Sequence, residues 1–217
     1  FRFLTSKIYD FTNIASYAKK EAALETRLII GPWGHANSVK FPGTQKTLPY
    51  RRESIAPSIP WFDHQFRMVD GQLNMPRIKI FVMGENRLAD ENEWPLARTD
   101  WKEWYLHSDG RANSVRGDGT LSKERPGEEK ADHFIYDPNY PVQTVGGNNC
   151  CTPDIVPWGP YDQRAVEMRG DVLCFTSSPF EQDTEITGPI KLILYAETDG
   201  PDTDWTAKVV DVSTSGY

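Results

Sequence analysis

Residues 27–35 have the sequence RLIIGPWGH, in which a short apolar run ends at a glycine and a proline. The three aliphatic residues favour a buried β-strand, and Gly31-Pro32 predicts a turn directly after it. His35 stands at the end of this turn. Residues that follow the strands of a parallel sheet meet at one edge of that sheet. The stretch therefore predicts a strand of an α/β sheet with a histidine at its edge.

The residues before this stretch predict a strand–helix–strand unit. Phe1–Thr5 is a short β-prone run, Ile14–Leu24 has helical spacing, and Arg27–Ile30 is the second strand. Strands that alternate with helices are typical of parallel sheets. Trp61–Val69 predicts one more amphipathic helix. Because this unit is too small to be a domain, we expect residues 1–75 to be the C-terminal part of a larger one, with both ends of the chain interior to a longer protein.

From residue 76 onward the pattern changes to short β-rich runs separated by turns of glycine, proline and aspartate. That density predicts an all-β sandwich or jelly roll over residues 76–217. The predicted fold class is therefore mixed, with the end of an α/β-hydrolase domain followed by a jelly-roll domain, both truncated. The predicted strands are Ile78–Met83, Lys102–Leu106, Asp132–Tyr136, Asp171–Thr176, Ile190–Ala196 and Thr206–Val212.

The amino-acid composition limits the kinds of ligand and compartment that we expect for this chain. With 31 acidic and 24 basic residues the net charge is −7, which argues against nucleic acid as a ligand. The sequence contains no apolar run of membrane-spanning length, so we expect no membrane association. Three cysteines are too few for a disulfide framework and favour a reducing, cytoplasmic compartment. The histidines and cysteines lack metal-ligand spacing, so we expect neither a metal nor a cofactor. A homo-oligomer is compatible with the sequence.

Two ionisable residues stand where a serine hydrolase needs an acid and a base. Asp10 follows the first predicted strand and His35 follows the second. In α/β-hydrolases the triad runs Ser, then Asp or Glu, then His along the chain, with the last two on loops after strands of one sheet. Asp10 is therefore a candidate to orient His35, and His35 is a candidate general base.

The nucleophile is missing from this pattern. The sequence contains no G-x-S-x-G elbow, and its serines lie in β-rich or turn contexts such as Ser177-Ser178-Pro179. We therefore expect the chain alone to be inactive and its nucleophilic serine to lie upstream.

The sequence resembles the CocE/NonD hydrolases, a group that includes cocaine esterase, α-amino-acid ester hydrolases and X-Pro dipeptidyl-peptidases. The resemblance is ordered along nearly the whole chain. Its segments are Arg27–His35, Trp61–His64, Pro76–Gly84, Asn92–Pro95, Gly117–Gly119 with Leu121, Tyr136–Pro138, Gly159–Arg164 and Asp202–Lys208.

The resemblance implies a role for each candidate residue. His35 corresponds to the base of the family's triad. Asp10 corresponds to the acid, although Ile8-Tyr9-Asp10 matches the family's Gly-Trp-Tyr-Asp segment only in part. The nucleophilic serine and the oxyanion-hole tyrosine of the family lie upstream of this chain. Residues 76–217 would form the family's galactose-binding-like jelly roll, and the substrate would be a small ester, an amide or an X-Pro peptide.

The alternative is a noncatalytic β-sandwich module that binds a glycan or a protein partner. Exposed tryptophans could stack on sugars, although packing is the simpler role for each. Acidic runs around Asp90-Glu91 and Asp202 could bind a hard cation, although a solvated turn is the simpler interpretation. The candidate stacking residues are Trp94, Trp101, Trp104, Trp158 and Trp205.

Overall fold

A computed structural model describes residues 4–34, 37–41, 47–67, 73–147 and 154–213. The chain divides into two compact units, one of Phe1–Arg98 with Gln143–Asp162 and the other of Thr99–Val142 with Gln163–Tyr217. The helices are α1 (Leu4–Tyr17), α2 (Lys20–Glu25), α3 (Arg51–Ile55), α4 (Ser58–Arg67) and α5 (Arg164–Glu167). The strands are β1 (Leu28–Ile30), β2 (Ser38–Val39), β3 (Leu48–Pro49), β4 (Ile78–Val82), β5 (Arg87–Glu91), β6 (Tyr105–His107), β7 (Thr120–Ser122) and β8 (Thr176–Ser177). In these ranges no helix is long and apolar enough to cross a bilayer.

The main sheet of the first unit has the strand order β1-β4-β5. β1 runs parallel to β4, with Leu28 opposite Ile78, and β4 pairs antiparallel with β5. β2 and β3 form a separate two-stranded ladder. The predicted strand at Arg27–Ile30 is thus confirmed, as is the predicted strand that begins at Ile78. Their parallel pairing with each other is not predicted by the sequence, because its pattern assigns Ile78–Met83 to the all-β region and predicts Phe1–Thr5 as the strand beside Arg27–Ile30.

The core of the first unit is built where helix α1 lies near this sheet. Ile78 is fully buried, and Phe11 on α1 is 5% exposed. The helical spacing of Ile8 and Phe11 places both side chains on the face of α1 that packs against this core. The other members of the core cluster are Leu28, Ile80 and Leu96.

The prediction of a strand over Phe1–Thr5 is wrong for its described part, because Leu4 and Thr5 already belong to α1. A helix places Ile8 and Phe11 on one face, so both side chains can pack against the core. The helix expected over Ile14–Leu24 is divided between α1 and α2. The helix expected from Trp61 is confirmed as α4, as far as residue 67.

We expect Ile78→Ala to lower the free energy of unfolding by about 2–5 kcal/mol, because it leaves a cavity at a fully buried position. Denaturant unfolding of the isolated chain measures this change. Ile59→Ala is the matched control: Ile59 is 60% exposed, so its loss should change stability by no more than about 0.5 kcal/mol. Equal effects of the two substitutions would show that Ile78 is not in the core.

The second unit contains a three-stranded sheet of order β6-β7-β8. β6 covers only the end of the strand predicted over Lys102–Leu106, and β8 begins at the last residue of the one predicted over Asp171–Thr176. The strand predicted over Asp132–Tyr136 forms no ladder. With β4 and β5 in the first unit, five strands and one short helix lie in residues 73–147 and 154–213, so this part of the chain is β-rich.

The two predicted strands nearest the C-terminus are also not found. No residue of Ile190–Ala196 or Thr206–Val212 joins a ladder in the described part of the chain. Their apolar side chains are exposed, with Ile193 at 67% and Val209 at 71%. A β-prone pattern becomes a strand only when another strand pairs with it, and these segments have no paired neighbour here. The jelly roll and the boundary between residues 75 and 76 therefore stay predictions.

Candidate functional site

The turn after β1 is shaped by two glycines that tryptophan rings approach closely. A β-carbon on Gly31 would collide with the ring of Trp33. A β-carbon on Gly34 would lie 3.2 Å from Cζ3 of Trp158 and closer still to Cε3. Neither glycine has a positive φ, so each is required here by space rather than by backbone conformation. His35 itself lies outside the described residues.

Backbone hydrogen bonds fix the chain on both sides of His35. The N–H of Gly34 donates to the carbonyl of Ser38 at 2.9 Å, and the N–H of Asn37 donates to the carbonyl of Gly34 at 3.1 Å. Asn37 has a φ of 54°, a left-handed conformation that asparagine tolerates better than most residues. Its side-chain oxygen accepts a hydrogen bond from the hydroxyl of Ser54 at 3.0 Å. Gly34 and Asn37, the described residues that flank positions 35 and 36, are thus held by several hydrogen bonds.

Trp158 reaches Gly34 from a distant segment of the same unit. Gly147 and Gly159 form an antiparallel bridge with N–H to carbonyl distances of 2.6 and 3.0 Å. This bridge fixes the backbone next to Trp158. Gly159 has a φ of 90° and lies 3.8 Å, measured from its would-be β-carbon, from Cγ2 of buried Val39. The segment therefore packs against both the turn and strand β2.

The position of Asp10 differs from the prediction. It lies within α1 instead of following a strand, and its carboxylate contacts the ammonium of Lys7 at 3.4 Å. The side chains of this pair are 54% and 69% exposed, so the contact contributes little to stability. Because Phe11 and Ile8 take the buried face of the helix, Asp10 is left on the solvent side. Because His35 lies outside the described residues, the assignment of Asp10 as its orienting acid stays a prediction.

His64, which lies on α4, contacts a carboxylate. Its Nε2 lies 3.4 Å from the carboxylate of Glu25, and its side chain is 24% exposed. The indole N–H of Trp61 donates to the carbonyl of Glu25 at 2.8 Å. These contacts join α4 to the end of α2, which is a structural role.

A second cluster of chemically active groups surrounds His107 in the other unit. Nδ1 lies 2.8 Å from the carboxylate of Glu129, and Nε2 lies 3.1 Å from the hydroxyl of Ser122. These are the contacts of a serine–histidine–acid triad. Nε2 also lies 3.0 Å from the carbonyl oxygen of Glu124. Sequence reasoning missed this cluster, because nothing in the spacing of the three side chains indicates it.

The carbonyl of Glu124 decides what this cluster can do. A carbonyl oxygen only accepts hydrogen bonds, so Nε2 donates to it only when that nitrogen carries a proton. The carboxylate of Glu129 accepts from Nδ1, so the charged imidazole has an acceptor at each ring nitrogen. The hydrogen bond to Glu129 raises the pKa of His107, and the same bond lowers the pKa of Glu129. In this charged form the imidazole cannot take a proton from Ser122, and the contacts of the cluster join the segment after β7 to β6.

We expect this tie to depend on pH. The raised pKa of His107 gives stability that is present below its ordinary value of 6.5 and lost as pH rises through the raised value. The lowered pKa of Glu129 gives stability that is present above 4.5 and lost as pH falls through the lowered value. The contribution should therefore be largest between pH 4.5 and 6.5, where the nearby carboxylate of Glu124 adds to the attraction.

Melting temperatures measured against pH test this expectation. Glu129→Gln should lower the melting temperature most between pH 5 and 6.5, and the difference from the native chain should shrink as pH rises further. Glu128→Gln removes a neighbouring exposed carboxylate and is the matched control, with no such dependence expected. A Glu129→Gln effect that is constant with pH would exclude the charged imidazole.

The acidic run on β5 is neutralised by basic partners. Glu91 forms two hydrogen bonds with the guanidinium of Arg98, at 2.6 and 2.7 Å, and these lower its pKa. Asp90 pairs with Lys79 at 2.6 Å. In the residues that the structure covers, no group of three or more His, Cys, Asp or Glu side chains is arranged to hold a metal ion. Asp90 is thus paired across strands with β4, and Glu91 is paired with a residue that follows β5.

Comparison with known proteins finds relatives that are longer than this chain. Cocaine esterase of Rhodococcus sp. is 37% identical over 199 residues, which are 88% of this chain and 34% of that protein. A Mycobacterium bovis protein that carries the name of a serine esterase is 23% identical over 206 residues, or 88% of this chain and 29% of that one. The chain thus spans about a third of the length of these curated relatives.

One solved structure, an aminopeptidase from a marine sediment thaumarchaeon, matches at 22% identity and a TM-score of 0.49. The match covers 72% of this chain and 25% of that one. A likeness at this level carries no conclusion for this chain.

The described residues from 73 onward form a β-rich region, and the comparisons identify the class to which it belongs. Through residues 72–217 the chain belongs to the family of X-Pro dipeptidyl-peptidase C-terminal non-catalytic domains. This match, together with the identity to cocaine esterase, confirms the resemblance to the C-terminal portion of the CocE/NonD hydrolases.

Proposed function

We propose that the chain is the C-terminal portion of a serine hydrolase that cleaves an ester or amide bond, with His35 as its general base. The observation that carries this proposal is the 37% identity to cocaine esterase over 88% of the chain. The identity extends over more of the chain than the non-catalytic domain alone, whose match begins at residue 72. Residues before that domain therefore have a counterpart in a hydrolase.

The described residues that flank His35 support its proposed role as the catalytic base. A general base must be held within hydrogen-bond reach of the proton that it takes. The hydrogen bonds of Gly34 and Asn37 constrain the described backbone that flanks residues 35 and 36. The turn also follows a parallel strand, where α/β-hydrolases place their histidine.

The proposed mechanism uses one imidazole twice. A serine from the part of the protein upstream of this chain attacks the substrate carbonyl while His35 takes the hydroxyl proton. The tetrahedral intermediate collapses, and His35 returns that proton to the leaving alcohol or amine. A water then attacks the acyl-enzyme with His35 again as base, which releases the acid and restores the serine. Asp10 would orient the ring and stabilise its charged form.

The same proposal assigns the finer fold. Residues 1–75 would complete an α/β-hydrolase domain, in which β1 is a late strand of the sheet. Residues 76–217 would form a galactose-binding-like jelly roll that supports the catalytic domain and helps to wall its cleft. The substrate would be a small ester, amide or X-Pro peptide.

The alternative of a glycan-binding module is less well supported by the tryptophans. Trp94 packs against the core of the first unit. Trp104 and Trp205 make edge-to-face contacts with Phe180 and Phe134, with ring centroids 6.0 and 5.7 Å apart. Trp158 lies against Gly34, whereas Trp101 is 63% exposed. Four of the five candidate rings therefore have packing partners, which favours the structural role.

A fluorophosphonate probe, which labels activated serines covalently, tests the proposal. The whole protein should be labelled at one serine upstream of Phe1, and residues 1–217 expressed alone should stay unlabelled. Labelling of a serine within this chain would contradict the proposed arrangement, as would a whole protein that resists the probe while hydrolysing an activated ester.

A further inference from the structure

The contact between Trp158 and Gly34 indicates a role for Trp158 that the position of this residue in the sequence does not suggest. Trp158 lies in the non-catalytic family segment that begins at residue 72, whereas Gly34 directly precedes the proposed base. Both belong to the same compact unit. Resting on the proposed function, we infer that Trp158 is a positioning residue, whose indole face sets the placement of the His35 turn and so the rate of proton transfer.

The geometry supports a tight and specific contact. A β-carbon on Gly34 would lie within 3.2 Å of two further ring atoms of Trp158, besides its clash with Cε3. Gly34 has no positive φ, so an alanine there would suit the backbone and conflict only with the ring. The indole face and the missing side chain are therefore complementary. Such a contact restricts how the turn can shift toward or away from the segment that carries Trp158.

The segment that holds the ring is itself well anchored. The bridge between Gly147 and Gly159 supplies two backbone hydrogen bonds next to Trp158. Gly146 adopts a φ of 62°, and a β-carbon there would lie 2.6 Å from the carbonyl oxygen of Gly159. Close backbone approach of this kind requires glycine. The backbone around Trp158 is therefore constrained, and the ring can limit the movement of the turn that contains Gly34.

The indole nitrogen provides a way to separate shape from hydrogen bonding. Nε1 of Trp158 is buried and has no hydrogen-bond partner in the described part of the structure. Its N–H therefore contributes nothing to the contact with Gly34, which is made by the ring face. Phenylalanine at this position keeps a flat aromatic face and removes the N–H, so it is the conservative replacement.

The consequence for catalysis follows from the sensitivity of proton transfer to distance. A displacement of about 1 Å at a catalytic group can cost about 100-fold in rate. We expect Trp158→Ala in the whole protein to lower kcat for an activated aryl ester by about 10- to 100-fold with KM within twofold of the native value. Trp158→Phe should restore most of this loss. Gly34→Ala should show a similar kcat defect, because its methyl group displaces the turn.

A double-mutant cycle is the decisive experiment. Because the two single changes disturb one contact, Gly34→Ala with Trp158→Ala should lose much less than the product of the two separate losses. Trp104→Ala, which removes another packed tryptophan, is the control and should leave kcat unchanged. Should Trp158→Ala fail to fold, Trp158→Leu takes its place with the same expectations.

The outcomes separate this inference from the proposed function. Native kcat in a folded Trp158→Ala protein, or losses that multiply fully in the double variant, would overturn the positioning role while His35→Ala remains inactive. Native turnover in His35→Ala would instead overturn the proposed function, whatever the Trp158 variants do.

Discussion

Replacement of His35 by alanine in the whole protein is expected to lower kcat for an activated aryl ester by about 10⁴- to 10⁶-fold. Without the imidazole the serine hydroxyl keeps its proton at neutral pH and is a poor nucleophile. The leaving group also loses its proton donor. KM should change little, because the imidazole acts on the reacting atoms and not on the rest of the substrate.

Two measurements keep this result interpretable. His133→Ala removes an exposed histidine of the other unit and should retain full turnover. The melting temperature of His35→Ala should stay near that of the native protein, so that the loss reflects chemistry and not unfolding. Turnover within tenfold of the native value would remove His35 from the mechanism.

The second large effect is expected at Asp10. If its carboxylate orients His35, Asp10→Asn should lower kcat by about 10⁴-fold, because an amide stabilises neither the required tautomer nor the charged ring. The same steady-state assay with an activated aryl ester measures this. Stability should be almost unchanged, since the side chain is about half exposed on α1.

Lys7→Met provides the matched control for Asp10. It removes the partner that Asp10 contacts at 3.4 Å while keeping the carboxylate. A catalytic acid predicts a severe loss for Asp10→Asn and native turnover for Lys7→Met. Native turnover in both variants would leave Asp10 with only its surface ion pair, and another carboxylate would then have to orient His35.

The strands β1 and β4 could be predicted because each carries its own signal. Leu28–Ile30 is an apolar run and Ile78–Val82 is mostly apolar and β-branched, and both contribute side chains to the core of the first unit. The turn with its two glycines was also predictable, since Gly31-Pro32 follows the run directly. Local sequence was sufficient wherever burial and turn chemistry agreed.

β5 could not be predicted from its own residues. Its sequence RLADE is mostly charged and has little β-prone character. It becomes a strand because β4 supplies a partner, with Ala89 opposite Ile80 and a salt bridge between Asp90 and Lys79. Ile190–Ala196 is the opposite case, since its pattern is strongly β-prone but no described strand pairs with it. In both cases the presence or absence of a pairing strand determines whether the segment forms a strand.

The contacts around the candidate site could also not be predicted from local sequence. Nothing near Gly34 in the sequence indicates that Trp158 lies against it, and the contact exists because the bridge at Gly159 brings that segment to the turn. The sequence predicts that Asp10 follows a strand, whereas it lies within helix α1, whose Phe11 packs in the core. Residue types indicated the chemistry, but the partners of each group required the fold.

The rate of fluorophosphonate labelling measures serine activation by His35 most directly, because it needs no knowledge of the natural substrate and omits deacylation. In the whole protein the second-order rate constant for His35→Ala should fall by at least about 10³-fold relative to the native protein and to His133→Ala. Labelling of His35→Ala at the native rate would contradict the account.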